Sequence, residues 1–209
     1  MQKKSQIKNK SLKTIQAVQR DDLLVYLSDL LQVPKIKDYC PNGLQVQGSA
    51  QIKKIVSGVT ASKALIEAAI NEKADAILVH HGWFWKNDDP VIVGQLHSRL
   101  KLLMEHNINL MAYHLPLDMH PKLGNNAQLG KLMGWAGKPD PINGLIWQGR
   151  AAKTQNTVAQ LARSLASRLG RDPLVLGDRD KPIRRIAWCT GAAQSYIKEA
   201  VSMKVDAYI

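Results

Sequence analysis

The chain has 209 residues, and 45% of them are hydrophobic, which suffices for a buried core in one or two domains and excludes an intrinsically disordered protein. No apolar run approaches the roughly 18 to 20 residues of a membrane-spanning helix, and the amino terminus lacks an apolar signal segment. The sequence therefore predicts a cytoplasmic protein that does not bind membranes.

The formal net charge of +12 is concentrated at one end. Residues 1–20 contain no acidic residue and supply half of the excess. No aromatic residues alternate with these cations, so the segment lacks the stacking platform of a single-strand binder. We predict a disordered basic leader over residues 1–20; nucleic-acid binding is the weaker alternative. The cations are Lys3, Lys4, Lys8, Lys10, Lys13 and Arg20.

The first predicted elements come after this leader. Asp21-Asp22 is a helix start with apolar positions spaced by three and four up to Leu31, and Pro34 ends it. Pro41-Asn42-Gly43 is typical of a turn, and residues 44–46 alternate like a short strand. Cys40 and Cys189 are isolated in the sequence, which indicates reduced thiols and excludes a zinc ribbon or a disulfide framework.

A β-α-β unit comes next. The pattern predicts a strand over residues 54–59, a helix that begins at Lys63 with Thr60 or Ser62 as its cap, and a buried strand over residues 76–79. A helix over residues 96–105 and a strand over residues 108–112 come after it. This alternation predicts an α/β fold.

Two adjacent histidines, His80 and His81, lie directly after the strand over residues 76–79. The carboxyl end of a strand is where α/β sheets bind ligands, and paired imidazoles suggest a metal. Because successive side chains of a strand point to opposite faces, the two rings share a site only if the backbone turns, or else each binds a different ion. Gly82 makes such a turn inexpensive.

A second cluster lies after the next strand and contains His114, Asp118 and His120. It offers nitrogen and oxygen donors that suit zinc, manganese or iron. The alternative for any single histidine is an ordinary hydrogen-bonded residue. The aromatic run Trp83-Phe84-Trp85 beside the first cluster either walls a pocket or only packs.

The later chain changes in composition. A helix is expected over residues 127–133 and ends at Gly134, and residues 136–156 are rich in Gly, Pro and Asn and are predicted to be a linker region. A helix is also expected over residues 157–169, and an edge strand over residues 173–176. The predicted divisions are the leader 1–20, a first α/β lobe 21–135, the linker 136–156 and an incomplete second α/β lobe 157–209.

The strongest pattern is an internal repeat. Residues 52–78 align without a gap on residues 183–209, and eight of the twenty-seven positions are identical. Asp75 corresponds to Asp206, and Lys73 corresponds to Lys204. The sequence therefore predicts two related β-α-β halves. Since the second copy ends at the counterpart of Leu78, we expect a natural carboxyl-terminal portion beyond Ile209.

Several motifs resemble one family in both order and spacing. They are Pro-Asn-Gly-Leu-Gln-Val-Gln-Gly at 41–48, Ser-Gly-Val-Thr-Ala-Ser at 57–62, His-His-Gly-Trp-Phe-Trp-Lys at 80–86, His-Leu-Pro-Leu-Asp-Met-His-Pro at 114–121 and Leu-Gly-Asn-Asn at 123–126. From about Asp21 to Ile209 the chain resembles the Ngg-one-interacting-factor-three-like family, whose bacterial members are labelled GTP cyclohydrolase I type II homologues.

The resemblance implies duplicated βα lobes, layered αβα with mixed sheets, and a site for two divalent ions between the lobes. His80 and His81 would each bind a different ion, Asp118 would bind one of them, and His114 would be a weaker ligand or a base. The family also has a late His-x3-Glu motif, whose glutamate would bridge the ions and which lies beyond Ile209. The resemblance further implies a toroidal homohexamer.

These expectations lead to a functional hypothesis. The intact protein is predicted to be a dinuclear metal-dependent hydrolase that acts on a nucleotide-like or cyclic-amide small molecule, with His114 or His120 moving protons. Without the bridging glutamate the ions would be weakly held and the short form inactive. The rivals are a non-catalytic metal-binding oligomeric assembly or regulatory protein and, on positive charge alone, a DNA-binding ring.

Overall fold

The computed structural model describes residues 16–209. The predicted basic leader therefore lies, up to residue 15, outside the described residues. Residues 16–209 form two compact units, each with its own four-stranded mixed sheet. The predicted α/β fold with mixed sheets is confirmed. No helix within this range combines the length and the apolar character that crossing a membrane requires.

The first unit is built on the order β2-β6-β5-β4. Strands β4, β5 and β6 are parallel, and β2 is antiparallel to β6. A two-stranded pair, β1 with β3, lies outside this sheet. The strands are β1 (Val18–Gln19), β2 (Gly43–Val46), β3 (Gln51–Ile52), β4 (Ile55–Thr60), β5 (Ala76–His81) and β6 (Asn109–Ala112).

Helices α2 (Lys63–Asn71) and α3 (Gly94–Glu105) belong to this unit and bury their apolar faces. Ser62 caps α2, because its side chain accepts a hydrogen bond from the backbone N–H of Leu65 at 3.2 Å. The core joins both helices to the sheet through residues such as Ile66, Ile77, Leu103 and Leu110. Helix α1 (Arg20–Leu31) precedes β2, close to the predicted span.

The second sheet has the order β10-β9-β8-β7. β9 and β10 are parallel, whereas β7, β8 and β9 pair antiparallel. Trp135, Trp147 and Trp188 lie in the core of this unit. Its elements are α4 (Leu115–Asp118), α5 (Asn125–Met133), β7 (Ala136–Pro139), β8 (Trp147–Arg150), α6 (Val158–Leu169), β9 (Arg185–Trp188), α7 (Ile197–Ser202) and β10 (Ala207–Tyr208).

The structure adds two strands to one locally predicted segment and contradicts another. The segment predicted to be a linker, 136–156, contains β7 and β8, because its Gly- and Pro-rich centre forms the connection of an antiparallel hairpin. The edge strand predicted over residues 173–176 is wrong, since that segment pairs with no strand within residues 16–209. Leu174 and Leu176 are each 87% exposed. The helix boundaries at Gly134 and Gly170 are confirmed, and both glycines have a left-handed φ.

Candidate metal centre

His80 and His81 are the last two residues of β5, and their ring centroids are 4.5 Å apart. The backbone there is tied to the neighbouring strand, because the N–H of Ala61 donates to the carbonyl of His81 at 2.9 Å. Thr60 Oγ1 lies 3.4 Å from His81 Nδ1. The sheet therefore fixes the chain at the point where the paired imidazoles begin.

Gln45 fixes the next residues of the chain. Its Oε1 accepts from the backbone N–H of Trp83 at 2.7 Å, and its Nε2 donates to the Trp83 carbonyl at 3.0 Å. The indole N–H of Trp83 donates to the carbonyl of Ala61 at 3.0 Å. A Cβ at Gly82 would lie 2.1 Å from Gln45 Oε1 and 2.7 Å from the Cβ of Ala112. A glycine is therefore required at this close approach.

His114 lies two residues beyond the end of β6. β5 and β6 are parallel, with Val79 paired to Ala112, so both strands end at one edge of the sheet. His80 and His81 both offer imidazole nitrogens as donor atoms at the end of β5. Imidazole nitrogens are donors that suit a zinc, manganese or iron ion.

Asp118 is the last residue of α4 and is 7% exposed. Its Oδ1 accepts a hydrogen bond from Asn125 Nδ2 at 2.7 Å. The turn between them is tight, because a Cβ at Gly124 would lie 2.5 Å from the carbonyl oxygen of Leu117. Within residues 16–209, Asp118 belongs to no group of three or more close donor side chains. Its role as a metal ligand stays a prediction.

His120 has a defined hydrogen-bonding pattern. Its Nδ1 lies 3.2 Å from the backbone N of Lys122 and 2.9 Å from that of Leu123, and both N–H groups donate to it. A ring nitrogen that accepts carries no proton. The neutral side chain therefore has its proton on Nε2.

Asp38 is the residue of this region that sequence reasoning missed. Its side chain is 3% exposed, and that of His114 is 8% exposed. Asp38 Oδ1 lies 3.0 Å from His114 Nδ1, although 76 positions separate the two residues in sequence. Asp38 precedes the motif that begins at Pro41, and no spacing rule links a carboxylate to a histidine so distant.

Cys40, Asp38 and His114 form a group in which one possible ligand atom of each side chain lies within 4.8 Å of the others. Burial, together with the charge of Asp38 and a hydrogen bond to it, raises the pKa of the Cys40 thiol to about 12. The thiol is therefore protonated at neutral pH, whereas metals bind the thiolate. We interpret this group as a hydrogen-bond network around Asp38, whose oxygens accept from Tyr39, Asn42 and Leu115.

Aromatic rings surround His114. The ring of Trp85 meets it edge-on with centroids 5.0 Å apart, and the ring of Tyr39 does so at 5.2 Å. Tyr39 and Trp85 also contact each other at 5.8 Å. Of the two alternatives for the aromatic run, packing is therefore observed for Trp85. The indole of Trp83 is buried in the first core.

Residues 18–209 match the family model described as Duf34/NIF3 (NGG1p interacting factor 3). The chain belongs to this family. It is 50% identical over 190 residues to the GTP cyclohydrolase 1 type 2 homolog of Allochromatium vinosum, covering 90% of this chain and 74% of the relative. It is also 50% identical over 183 residues to the Pseudomonas aeruginosa protein of the same name, covering 86% and 72%.

Solved structures agree with this membership in the Duf34/NIF3 family. The protein ybgI, described as of unknown function, superposes with a TM-score of 0.88 at 45% identity, covering 91% of this chain and 77% of that one. A Thermus thermophilus protein superposes with a TM-score of 0.79 at 33% identity, covering 91% and 76%. The predicted family resemblance is therefore confirmed.

Proposed function

We propose that this Duf34/NIF3 protein is a metal-dependent hydrolase that acts on a nucleotide-like or cyclic-amide small molecule. The observation that supports the proposal most strongly is the pair of imidazoles of His80 and His81 at the end of β5, whose ring centroids lie 4.5 Å apart. The name GTP cyclohydrolase 1 type 2 homolog, carried by relatives at 50% identity, supports a ring-opening hydrolysis. The proposal includes two ions, with Asp118 as a further ligand.

A divalent ion bound by these side chains would supply Lewis acidity and lower the pKa of a coordinated water. The remaining work falls to the protein. His114 has Nδ1 directed at Asp38, so its Nε2 is the nitrogen that can accept a proton. His120 has an accepting Nδ1, so its Nε2–H can donate one. His114 therefore offers Nε2 as a base or as an ion ligand, and His120 offers Nε2–H as an acid.

The test combines metal content with turnover. The purified protein is expected to contain about one to two zinc, manganese or iron ions per chain by elemental mass spectrometry, and to open GTP or another member of a nucleotide and cyclic-amide panel. His80→Ala combined with Asp118→Ala should lower both the metal content and the turnover to near background. His97→Ala, at an exposed histidine on α3, is the matched control and should change neither.

The oligomeric state separates this proposal from its rival. Loss of turnover in the double variant with an unchanged mass by light scattering supports the enzyme. Disassembly of the oligomer in a protein that never turned over any member of the panel would favour a structural metal site. The proposal also includes self-assembly into a homohexameric ring, for which the expected mass is about six times that of one chain. The predicted cytoplasmic location is tested by cell fractionation.

A further inference from the structure

We propose that Asp38 is a positioning residue that holds His114 in the tautomer with the proton on Nδ1 and thereby presents Nε2 to the reaction or to a metal ion. The catalytic use of this tautomer rests on the proposed hydrolase function, whereas the hydrogen bond between Asp38 and His114 does not depend on that function. Nothing in the family names or in the motifs assigns a role to Asp38.

The carboxylate of Asp38 is the centre of a dense hydrogen-bond network. Oδ1 accepts from the backbone N–H of Tyr39 at 2.7 Å and lies 3.0 Å from His114 Nδ1. Oδ2 accepts from Asn42 Nδ2 at 2.9 Å and from the backbone N–H of Leu115 at 2.8 Å. A carboxylate offers about four acceptor sites, so these partners occupy its capacity.

The donors around Asp38 decide the direction of its hydrogen bond with His114. Burial would raise the pKa of Asp38, but the hydrogen bonds from Asn42, His114, Leu115 and Tyr39 outweigh it and hold the pKa below its ordinary value. Three N–H groups, which can only donate, are directed at its two oxygens, so Asp38 acts as an acceptor at both of them. His114 Nδ1 must carry the proton, and in the neutral ring Nε2 has the lone pair.

The backbone and the neighbouring rings fix the same orientation. The backbone N–H of His114 donates to Asn42 Oδ1 at 2.7 Å, so Asn42 binds both members of the pair. Trp85 and Tyr39 pack edge-on against the imidazole and limit its rotation. His114 is therefore held by its backbone N–H, by its Nδ1–H and by the two neighbouring rings.

His120 is an internal contrast. Its Nδ1 accepts two backbone N–H groups, so it adopts the opposite tautomer, with the proton on Nε2. Isolated neutral imidazole can adopt both forms, and in each residue a hydrogen bond at Nδ1 selects one of them. One chain thus carries two histidines of the same motif with opposite tautomers, which is a specific and measurable expectation.

Nitrogen-15 spectroscopy of the histidine side chains measures the tautomers directly and needs no substrate. Uniformly labelled protein is recorded at about pH 8.5, where ordinary imidazoles are neutral. His114→Ala and His120→Ala identify the two spin systems by their disappearance. We expect His114 to show a protonated Nδ1 and an unprotonated Nε2, and His120 to show the reverse. A protonated Nε2 in His114 of the unmodified protein would overturn the proposal.

Asp38→Asn tests the cause. The change keeps the size of the side chain and removes its charge, so the ratio of the two His114 tautomers should shift toward Nε2–H by roughly tenfold or more. Asn42→Ala is the matched control, because it breaks bonds to Asp38 and to the His114 backbone but leaves the carboxylate. It should preserve the Nδ1–H tautomer. An unchanged ratio in Asp38→Asn would contradict the proposal.

The outcomes for tautomer and turnover are separable. If no substrate is turned over but His114 shows the Nδ1–H tautomer that Asp38→Asn abolishes, the positioning role stands and the hydrolase proposal fails. If the protein is a hydrolase and the tautomer is not as stated, only the role of Asp38 fails. If Asp38→Asn does not fold, the tautomers of His114 and His120 in the unmodified protein still decide the matter.

Discussion

The two copies of the internal repeat share their strand pairing and the junction at their aspartates, but they have different surroundings. In the first, Asp75 Oδ2 accepts from the N–H groups of Lys53 and Lys54 at 2.8 and 2.9 Å. In the second, Asp206 Oδ2 accepts from Arg184 and Arg185 at the same two distances. These aspartates occupy equivalent positions, so the repeat conserves a hydrogen-bonded junction between its strands.

Other backbone features repeat as well. Lys73 and Lys204, each two positions before the aspartate, have φ values of 52° and 55°. The strands pair in the same register, with Ile55 opposite Ala76 in the first copy and Ile186 opposite Ala207 in the second. The predicted repeat is therefore confirmed in three dimensions.

The difference lies in the helix and in the chain beyond the second strand. Ile66 of α2 is fully buried, in a core that includes Leu100 and Leu103 of α3, whereas its counterpart Ile197 of α7 is 52% exposed. The first copy continues directly into His80 and His81. The repeat therefore specifies a β-α-β framework. The burial of its helix and the chemistry at the end of its second strand depend on the residues added to each copy.

The largest expected effect is at the helix position where the copies differ most. Ile66→Ala should lower the free energy of unfolding by about 2–5 kcal/mol, since it leaves a cavity in the core. Ile197→Ala should lower it by only about 0.5 kcal/mol, as is usual for an exposed position. Urea titration monitored by circular dichroism measures both changes.

A matched pair provides the control for that contrast. Ala69 is fully buried and its counterpart Ala200 is 1% exposed, so these positions are equivalent in both copies. Ala69→Leu and Ala200→Leu should each cost about 1–3 kcal/mol, because both overfill a packed interface. Equal effects of Ile66→Ala and Ile197→Ala would show that the two helices are packed alike and would remove the contrast.

The second prediction concerns the feature that the copies share. Asp75→Ala and Asp206→Ala should each destabilise the protein by about 1–3 kcal/mol, because each leaves two backbone N–H groups without their charged acceptor. Asp172→Ala, at an exposed carboxylate, is the control and should change stability by less than about 0.5 kcal/mol. Thermal unfolding at neutral pH is the measurement. A neutral effect at only one of the two aspartates would mean that the junction is not equivalent in the two copies.

The smallest effect is the pH dependence of the Asp206 junction. Hydrogen bonds from the backbone N–H groups of Arg185 and Arg184 lower the pKa of Asp206 below its ordinary 3.8, and the nearby Lys181 and Arg185 charges act in the same direction. A carboxyl group with a lowered folded-state pKa contributes stability that is complete above the unfolded value and lost as the pH falls through the folded value.

The stability difference between the unmodified protein and Asp206→Ala should therefore be constant above about pH 5 and shrink progressively below about pH 4. Urea titrations at a series of pH values measure this difference. A difference that grows as the solution is acidified would contradict the assigned direction of the pKa shift.

Much of the fold was accessible to sequence reasoning because it depends on local rules. The cap at Ser62, the glycine ends of α5 and α6, and the repeat of residues 52–78 at 183–209 can all be predicted from short-range spacing. The hairpin of β7 and β8 was missed, because Gly and Pro residues hide a pairing that burial of Trp147 stabilises.

The same distinction between local sequence rules and tertiary contacts applies to the candidate metal centre. The sequence by itself determined the two clusters that contain His80, His81, His114, Asp118 and His120, together with the strand ends that carry them. Only the tertiary structure decided that Asp38 meets His114, so that Nδ1 faces an acceptor in His114 but backbone donors in His120. The physical reason is that the contact of Asp38 with His114 joins segments 76 positions apart, and no local pattern of residues encodes such a contact.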